Sequence, residues 1–211
     1  MKKVVVFDTG TGGRLFANHL SIKYPNIKVE TVIDLDNSPY GAKSRDEIIN
    51  LTEDAIKNHI GQTDAIILAC NTATAAAIDE LRIRYPDQIF IGFEPMIKTG
   101  AKLTRTGKIM VLATEATKKA DRYNRLKERF SGFAVIEPDC GSWAAQIDSG
   151  NLTPKDVKSA LAGQLDGIDV IILACTHYVA ISEQIKEIVG PKVKVINPFE
   201  AVGDYIAKIM L

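Results

Sequence analysis

The chain has 211 residues, 46% hydrophobic and 25% charged, and its 26 Lys and Arg balance its 26 Asp and Glu. That composition suits a packed soluble protein and excludes a global basic field of the kind that draws nucleic acid, while no apolar run is long enough to span a bilayer. Three cysteines, an odd number without an export signal, point to reduced thiols in a cytoplasmic setting and away from a disulfide framework.

Val4 to Phe7 is a continuous β-branched and apolar run after Lys2-Lys3, the pattern of a strand buried on both faces of a parallel sheet. It empties into Asp8-Thr9-Gly10-Thr11-Gly12-Gly13, and a helical pattern through Leu15, His19, Leu20 and Ile22 follows. Backbone amides bared there at a helix start suit a carboxylate or phosphate. Leu15 stands where a dinucleotide-binding fingerprint needs its third glycine, which makes a nucleotide site a weak reading.

Val29 to Ile33 reads as the second strand, running into the turn-rich Asp34 to Gly41 segment with Pro39 and Tyr40. Ser44 caps a helix whose acidic residues lie early and whose Lys57 lies late, as the helix dipole favours. Ala65 to Ala69 is a strand ending on Cys70, with a helix from Ala75 to Tyr85. Ile89 to Gly92 is the next strand, leading to Glu94-Pro95 and a short helix from Ile97 to Leu103.

The second half repeats the alternation. Strands are expected at Lys108 to Ala113, Ala134 to Ile136, before Cys175, and at Val193 to Ile196. Helices are expected from Lys119 to Phe130, Trp143 to Asp148, Pro154 to Leu165, Ile181 to Val189 and Glu200 to Met210.

The repeat is explicit. Asp64-Ala-Ile-Ile-Leu-Ala-Cys70 is answered by Asp169-Val-Ile-Ile-Leu-Ala-Cys175, an offset of 105 (175 − 70), and Thr9 is answered by Thr114 at the same offset. Two similar units follow: an α/β protein of two αβα lobes with parallel sheets related by a pseudo-two-fold, 1–95 plus 196–211 forming one and 96–195 the other. Ligands of such sheets lie off the carboxyl ends of the strands, where Asp8, Asp34, Tyr40, Cys70, Thr114, Cys140 and Cys175 fall, so the cleft between the lobes is the expected active site.

One buried cysteine at a strand end is ordinary packing. Two in equivalent places, each leading into a helix start that should favour thiolate, can approach one carbon from opposite sides. One thiolate would remove a proton and the opposed thiol would return one, inverting the centre without a cofactor. Asp8 and His177 are the neighbours placed to exchange protons with them. His19 and His59 read as helix-surface residues and Cys140 as packing. No C-x-x-C and no ligand spacing among the histidines supports a metal or a redox pair.

The motifs Asp8-Thr-Gly-x-Gly-Gly, Pro39-Tyr40-Gly41, Cys70-Asn71-Thr72-Ala73, Thr114-Glu-Ala-Thr117 and Cys175-Thr176-His177-Tyr178 together resemble glutamate racemase, of the aspartate/glutamate racemase superfamily. The resemblance covers nearly the whole chain. It implies Cys70 and Cys175 as acid/base thiols assisted by Asp8 and His177. Asp8, Thr9, Pro39, Tyr40, Gly41, Asn71, Thr72, Thr114, Thr117 and Thr176 would hold the substrate. It also implies no cofactor, a homodimer, and D-glutamate made for bacterial peptidoglycan. His177 argues for glutamate, since aspartate racemases tend to carry Glu there. Thr9 stands for the family's Ser, Val179 for Pro, and Asp148 for Glu, and the run after Cys140 lacks the usual proline and aromatic residues. Racemisation of aspartate, isomerisation of a small dicarboxylate, and ligand binding without catalysis are the alternatives.

Overall fold

The computed structural model describes residues 1–211. In chain order the first half is β1 (Lys2–Asp8), α1 (Thr11–Lys23), β2 (Ile27–Ile33), α2 (Arg45–Ile56), β3 (Ala65–Leu68), α3 (Asn71–Arg84), β4 (Phe90–Gly92) and α4 (Ile97–Leu103). The second half is β5 (Lys108–Leu112), α5 (Glu115–Lys119), α6 (Asp121–Glu128), β6 (Ala134–Ile136), α7 (Trp143–Asp148), α8 (Pro154–Leu161), β7 (Val170–Leu173), α9 (Thr176–Val179), α10 (Ser182–Val189), β8 (Lys194–Ile196) and α11 (Phe199–Met210).

All eight strands pair in parallel, in two four-stranded sheets of order β2-β1-β3-β4 and β6-β5-β7-β8. The duplication extends to register. Val4 pairs with Ala65 and Phe7 with Leu68 in the first sheet, and Ile109 with Val170 and Leu112 with Leu173 in the second, each pair displaced by the same 105 positions. In both sheets the Cys-bearing strand lies beside the strand that opens the lobe. The two topologically equivalent inner strands therefore deliver Asp8 with Cys70 in one lobe and Thr114 with Cys175 in the other.

Each sheet is covered on both faces, as parallel sheets require. Val4, Val6 and Ile67 pack with Phe16, Leu20 and Phe93 on one side of the first sheet, and Val5, Phe7 and Ile66 with Ile48, Ile56 and Leu81 on the other. The second sheet repeats this, Met110 and Leu112 with Trp143 and Val157, and Val111 and Ile172 with Ile97 and Tyr123. The chain crosses between the cores twice. Phe93 belongs to the first core and Ile97 to the second, while Ile196 packs on the second and Phe199 returns to the first. Helix α11 thus completes the first lobe, with Ile206 and Met210 in its core.

Several expected boundaries shift for identifiable reasons. The helix expected from Lys119 to Phe130 is two helices, because Ala120 is extended (φ −69°, ψ 135°) and ends α5 before Asp121 opens α6. The helix from Pro154 ends at Leu161 and not at Leu165, with Ala162 extended and Gly163 in the left-handed region at φ +73°. Helix α3 starts at Asn71, four residues before Ala75, because Cys70 itself is the capping residue. No helix is long and apolar enough to cross a membrane.

Candidate active site

Strand β3 ends where Cys70 turns out of the sheet with extended backbone, and its Sγ accepts the Ala73 N–H at 3.4 Å at the start of α3. Thr9, just beyond β1, donates its hydroxyl toward the same sulfur at 3.7 Å. Cys175 occupies the matching position after β7, but its helix α9 is a single turn and its sulfur makes no cap. Its neighbour is instead His177, whose Nδ1 lies 3.8 Å from Sγ. The two halves of the duplication have therefore diverged in what surrounds the thiol: a hydroxyl and a backbone amide at one, an imidazole at the other.

Both thiols are almost sealed, 5% and 6% exposed. Helix-start amides do favour the thiolates, as expected from the sequence, but burial is the larger influence and reverses the outcome. The Cys70 thiol is pushed up to about 12, by desolvation first and by the nearby Asp8 carboxylate second. Cys175 is raised well above its ordinary value, by desolvation first and by negative charge on Cys70 second. The expectation of resting thiolates is thus corrected. Burial favours the protonated form of both thiols, and charge on Cys70 raising Cys175 places the pair in one electrostatic site.

Asp8 sits at the end of β1, fully buried, its Oδ1 accepting the Thr176 hydroxyl from the opposite lobe at 3.2 Å. Burial raises its carboxyl above the usual range, and the facing His177 opposes that shift. Its Oδ2 has no partner, nor have Nδ2 and Oδ1 of Asn71, although Asn71 is only 2% exposed. Buried polar atoms without partners are uncommon, and here three of them belong to residues flanking the thiols. A bound group with both donors and acceptors, such as the head of an amino acid, would satisfy them.

Across the cleft, three threonine hydroxyls close a triangle. Thr72 Oγ1 lies 2.9 Å from Thr114 Oγ1 and 3.4 Å from Thr117 Oγ1, and Thr114 donates to Thr117 at 3.0 Å. Thr72 comes from the first lobe and the other two from the second. All three hydroxyls can rotate to donate to a carboxylate.

Pro39 and Gly41 lie at one mouth of the cleft, facing Glu115, Asp139 and Gly141 across a cavity of about 570 Å³. Gly41 is pressed against Thr114, which a Cβ would meet at 3.1 Å. The ring of Tyr40 is buried beneath, and its hydroxyl donates to Asp34 at 2.6 Å, not into the cleft. Asp34 also holds Asn37 through both carboxylate oxygens. This carboxylate, named at the sequence level only as a strand-end residue, is the support of the Pro39-Tyr40-Gly41 loop. The signal was its place six residues before Tyr40; its partner was visible only in three dimensions.

Asp148, at the end of α7, reaches His177. Its Oδ2 is 3.1 Å from Nε2, so the shorter arm suffices, and Ser38 from the first lobe approaches the same oxygen at 3.4 Å. Gly10 completes the packing around the imidazole, since a Cβ there would fall 2.2 Å from Nε2. Cys140 stands apart in the second core, its thiol donating to the Ala113 carbonyl at 3.4 Å. His19 packs on Phe16 and Phe199 and His59 approaches Glu30, both in the first lobe and away from the thiols. No cluster of three His, Cys, Asp or Glu side chains is arranged to hold a metal ion.

Comparison with known proteins decides the family. The model of the Asp/Glu/hydantoin racemases matches residues 25–204. The chain belongs to that family. The glutamate racemase of Sulfurovum is 36% identical over 221 aligned positions that include 99% of this chain and 81% of its own. Among solved structures, glutamate racemase from Bacillus anthracis superposes with a TM-score of 0.86 at 27% identity, covering 99% of this chain and 81% of that one. The Francisella tularensis enzyme, solved with D-glutamate, gives 0.84 at 29% identity, covering 99% and 80%. This racemase is thus an isomerase of amino acids built from two lobes with the cleft between them.

Proposed function

We propose that this racemase interconverts L- and D-glutamate by two-base proton transfer, with Cys70 and Cys175 as the bases on opposite faces of the α-carbon. The observation that carries the reading is the pair of buried thiols at equivalent strand ends, each with a different proton partner beside it. Glutamate as substrate is supported by the relatives named above, and by His177 following Cys175-Thr176.

Because both thiols rest protonated, the base must be generated in the site. Cys175 would pass its proton to His177, which Asp148 orients, and Cys70 would exchange its proton through Asp8. The substrate ammonium fits the unpaired Asp8 oxygen and the Asn71 amide oxygen. Its positive charge in this sealed volume would offset the Asp8 charge that raises Cys70, so that binding makes the thiolate accessible. One thiolate then takes the α-proton, the opposed thiol delivers its own to the other face, and the two sulfurs exchange roles for the reverse direction. The Thr72, Thr114 and Thr117 triangle, with the backbone amides after Thr9, supplies donors for carboxylates. Excluding water protects the carbanion from stray protons.

Thr9, Pro39, Tyr40, Gly41 and Thr176 complete the proposed substrate site, Thr176 through its bond to Asp8 and Tyr40 by fixing its loop. Lobe limits of 1–95 plus 196–211 and 96–195 belong to the same proposal, supported by the core packing of Phe93, Ile97, Ile196 and Phe199. So do catalysis without a cofactor, a homodimer in the cytoplasm, and a product that feeds bacterial peptidoglycan, all of which rest on the family resemblance.

The test is α-proton exchange in deuterium oxide. The native protein should racemise glutamate with solvent deuterium incorporated in the product, and Cys70→Ser and Cys175→Ser should each abolish racemisation while remaining folded by circular dichroism. Full racemisation by either variant would refute the two-thiol reading. Exchange with aspartate and none with glutamate would refute the substrate.

A further inference from the structure

Outside the thiol site, one side chain ties the lobes together. Arg122, near the start of α6 in the second lobe, donates Nε to Glu94 Oε1 at 2.6 Å and Nη1 to Asp79 Oδ1 at 2.6 Å, and Nη2 also pairs with Glu94. Glu94 lies in the crossing segment, between Phe93 in the first core and Ile97 in the second. Asp79 lies on α3, seven residues after Thr72 and so about 10 Å further along the same helix. Arg125 extends the contact, its Nη2 3.8 Å from Asp79.

The placement matters because α3 is the helix that Cys70 caps and that carries Asn71 and Thr72. The second lobe holds this helix at two points. At its start, Thr72 bonds Thr114; two turns on, Asp79 bonds Arg122. Thr72, Ala75, Ala76 and Asp79 fall on one helix face and, with Ala116, Lys119 and Arg122 opposite, line an inter-lobe cleft of about 590 Å³. A fixed point at each end of that face suppresses rotation of one lobe against the other about the crossing segment. A guanidinium suits this place, since its fork satisfies two carboxylates at once where an ammonium is a single point of charge.

We propose that Arg122 is a positioning residue: through Asp79 and Glu94 it holds the lobes closed, keeping the α3 start, with Cys70, Asn71 and Thr72, in register with Thr114, Thr117 and Cys175. Substrate must reach thiols that are 5% and 6% exposed, so the lobes separate during turnover, and the Arg122 contacts break or pivot when they do. The carboxylates are partly exposed, so the closure they add is modest and screened by salt.

The experiment reads thiol access directly. The full chain is labelled with 5,5′-dithiobis(2-nitrobenzoate) at pH 8 without substrate, and the rates at Cys70 and Cys175 are followed by mass spectrometry, with buried Cys140 as the internal control. Asp79→Asn, which removes the charge that pairs Arg122 with α3 and leaves the buried residues untouched, should speed labelling of the pair roughly two- to fivefold, the size one partly exposed ion pair supports. Asp79→Glu should restore the native rate. Raising KCl to about 0.5 M should speed labelling of the native protein more than that of Asp79→Asn, which keeps only the Arg122–Glu94 pair. Arg122→Ala should do more than Asp79→Asn, with a melting temperature reported alongside. Kinetically, Asp79→Asn should raise KM with kcat kept or increased, an arm that rests on the proposed racemisation. The labelling arm does not, so an inactive protein with salt-dependent thiol access would refute the racemase reading and leave the clasp standing. Native labelling rates and unchanged salt dependence in folded Asp79→Asn and Arg122→Ala would overturn the clasp.

Discussion

His177 is held between Cys175 and Asp148, its Nδ1 3.8 Å from the thiol sulfur and its Nε2 3.1 Å from the carboxylate. In the proposed mechanism the imidazole uses one nitrogen for the proton of Cys175 and the other for the group that fixes its orientation. In that mechanism Asp148→Asn removes the charge that stabilises the imidazolium formed during proton transfer. We expect kcat/KM to fall by about 100-fold, at the low end of what a positioned acid–base group contributes. Because the two enantiomers are equal in free energy, the fall must be the same from either side. Polarimetric rates from L- and D-glutamate check both statements, and activity within threefold of native would remove Asp148 from the mechanism.

Gly10 makes the same imidazole position depend on the first lobe. An added Cβ would sit 2.2 Å from His177 Nε2, in the space where the Asp148 bond is made. Gly10→Ala must displace the ring or part the lobes, so we expect loss of racemisation of at least the size seen for Asp148→Asn, with little change in far-ultraviolet circular dichroism. Gly61, at a turn with nothing near its Cβ, is the control site for general effects of alanine, although its positive φ of 72° adds local strain. A native rate in Gly10→Ala would show that the ring accommodates the methyl without cost.

The ionisation of Cys70 offers a third test. Desolvation is the main reason its thiol rises to about 12, and the Asp8 carboxylate is the second. Iodoacetamide modifies the thiolate, so its rate at Cys70 should still be climbing at pH 10 in the native protein. Asp8→Asn removes a negative charge and should shift this rise to lower pH, yet leave it above pH 9 because burial persists. Peptide mapping after timed alkylation separates Cys70 from the other thiols. A rise centred near pH 8.5 in native protein would contradict the burial argument.

The sheets were legible because a parallel strand buried on both faces leaves an unbroken apolar run, and the run Ala-Ile-Ile-Leu occurs with little change as Val-Ile-Ile-Leu at the equivalent place. A constant offset between repeats carries register as well as topology, which is why Val4 with Ala65 predicts Ile109 with Val170. What escaped was decided by three-dimensional proximity or by local backbone. Ala120 is extended in the middle of a sequence of good helix formers, and Asp121 after it restarts a helix that propensity alone would continue. Asp34 with Tyr40, and Arg122 with Asp79 and Glu94, join segments whose spacing in the chain has no periodic signature. The thiols were found by pattern, but their ionisation was not, because motif residues say which amides point at a sulfur and not how much water is excluded from it.

That exclusion has a consequence for stability. A thiol whose pKa is higher folded than unfolded binds its proton more tightly in the folded state. Its contribution is therefore complete below the ordinary value of 9.0, and for Cys70 is lost progressively as pH rises through the window from 9.0 to about 12. Cys175 is shifted in the same direction and adds to the effect. Within the window each thiol can lower the unfolding free energy by up to about 1.4 kcal/mol per pH unit. Tyr40, Tyr123 and Tyr178 are raised as well, so the native protein has further alkaline sensitivity beyond that of the two thiols. Comparison with Cys70→Ser removes this thiol together with the part of the Tyr40 and Cys175 shifts that its charge causes, while the rest of the tyrosine background is common to both proteins. Urea unfolding at pH 8, 9, 10 and 10.5 should give a steeper alkaline decline for the native protein than for Cys70→Ser, with parallel behaviour below pH 9. Equal slopes for the two proteins above pH 9 would mean that the sulfur is solvated in solution, and the sealed site, with the need to generate its base on substrate binding, would have to be abandoned.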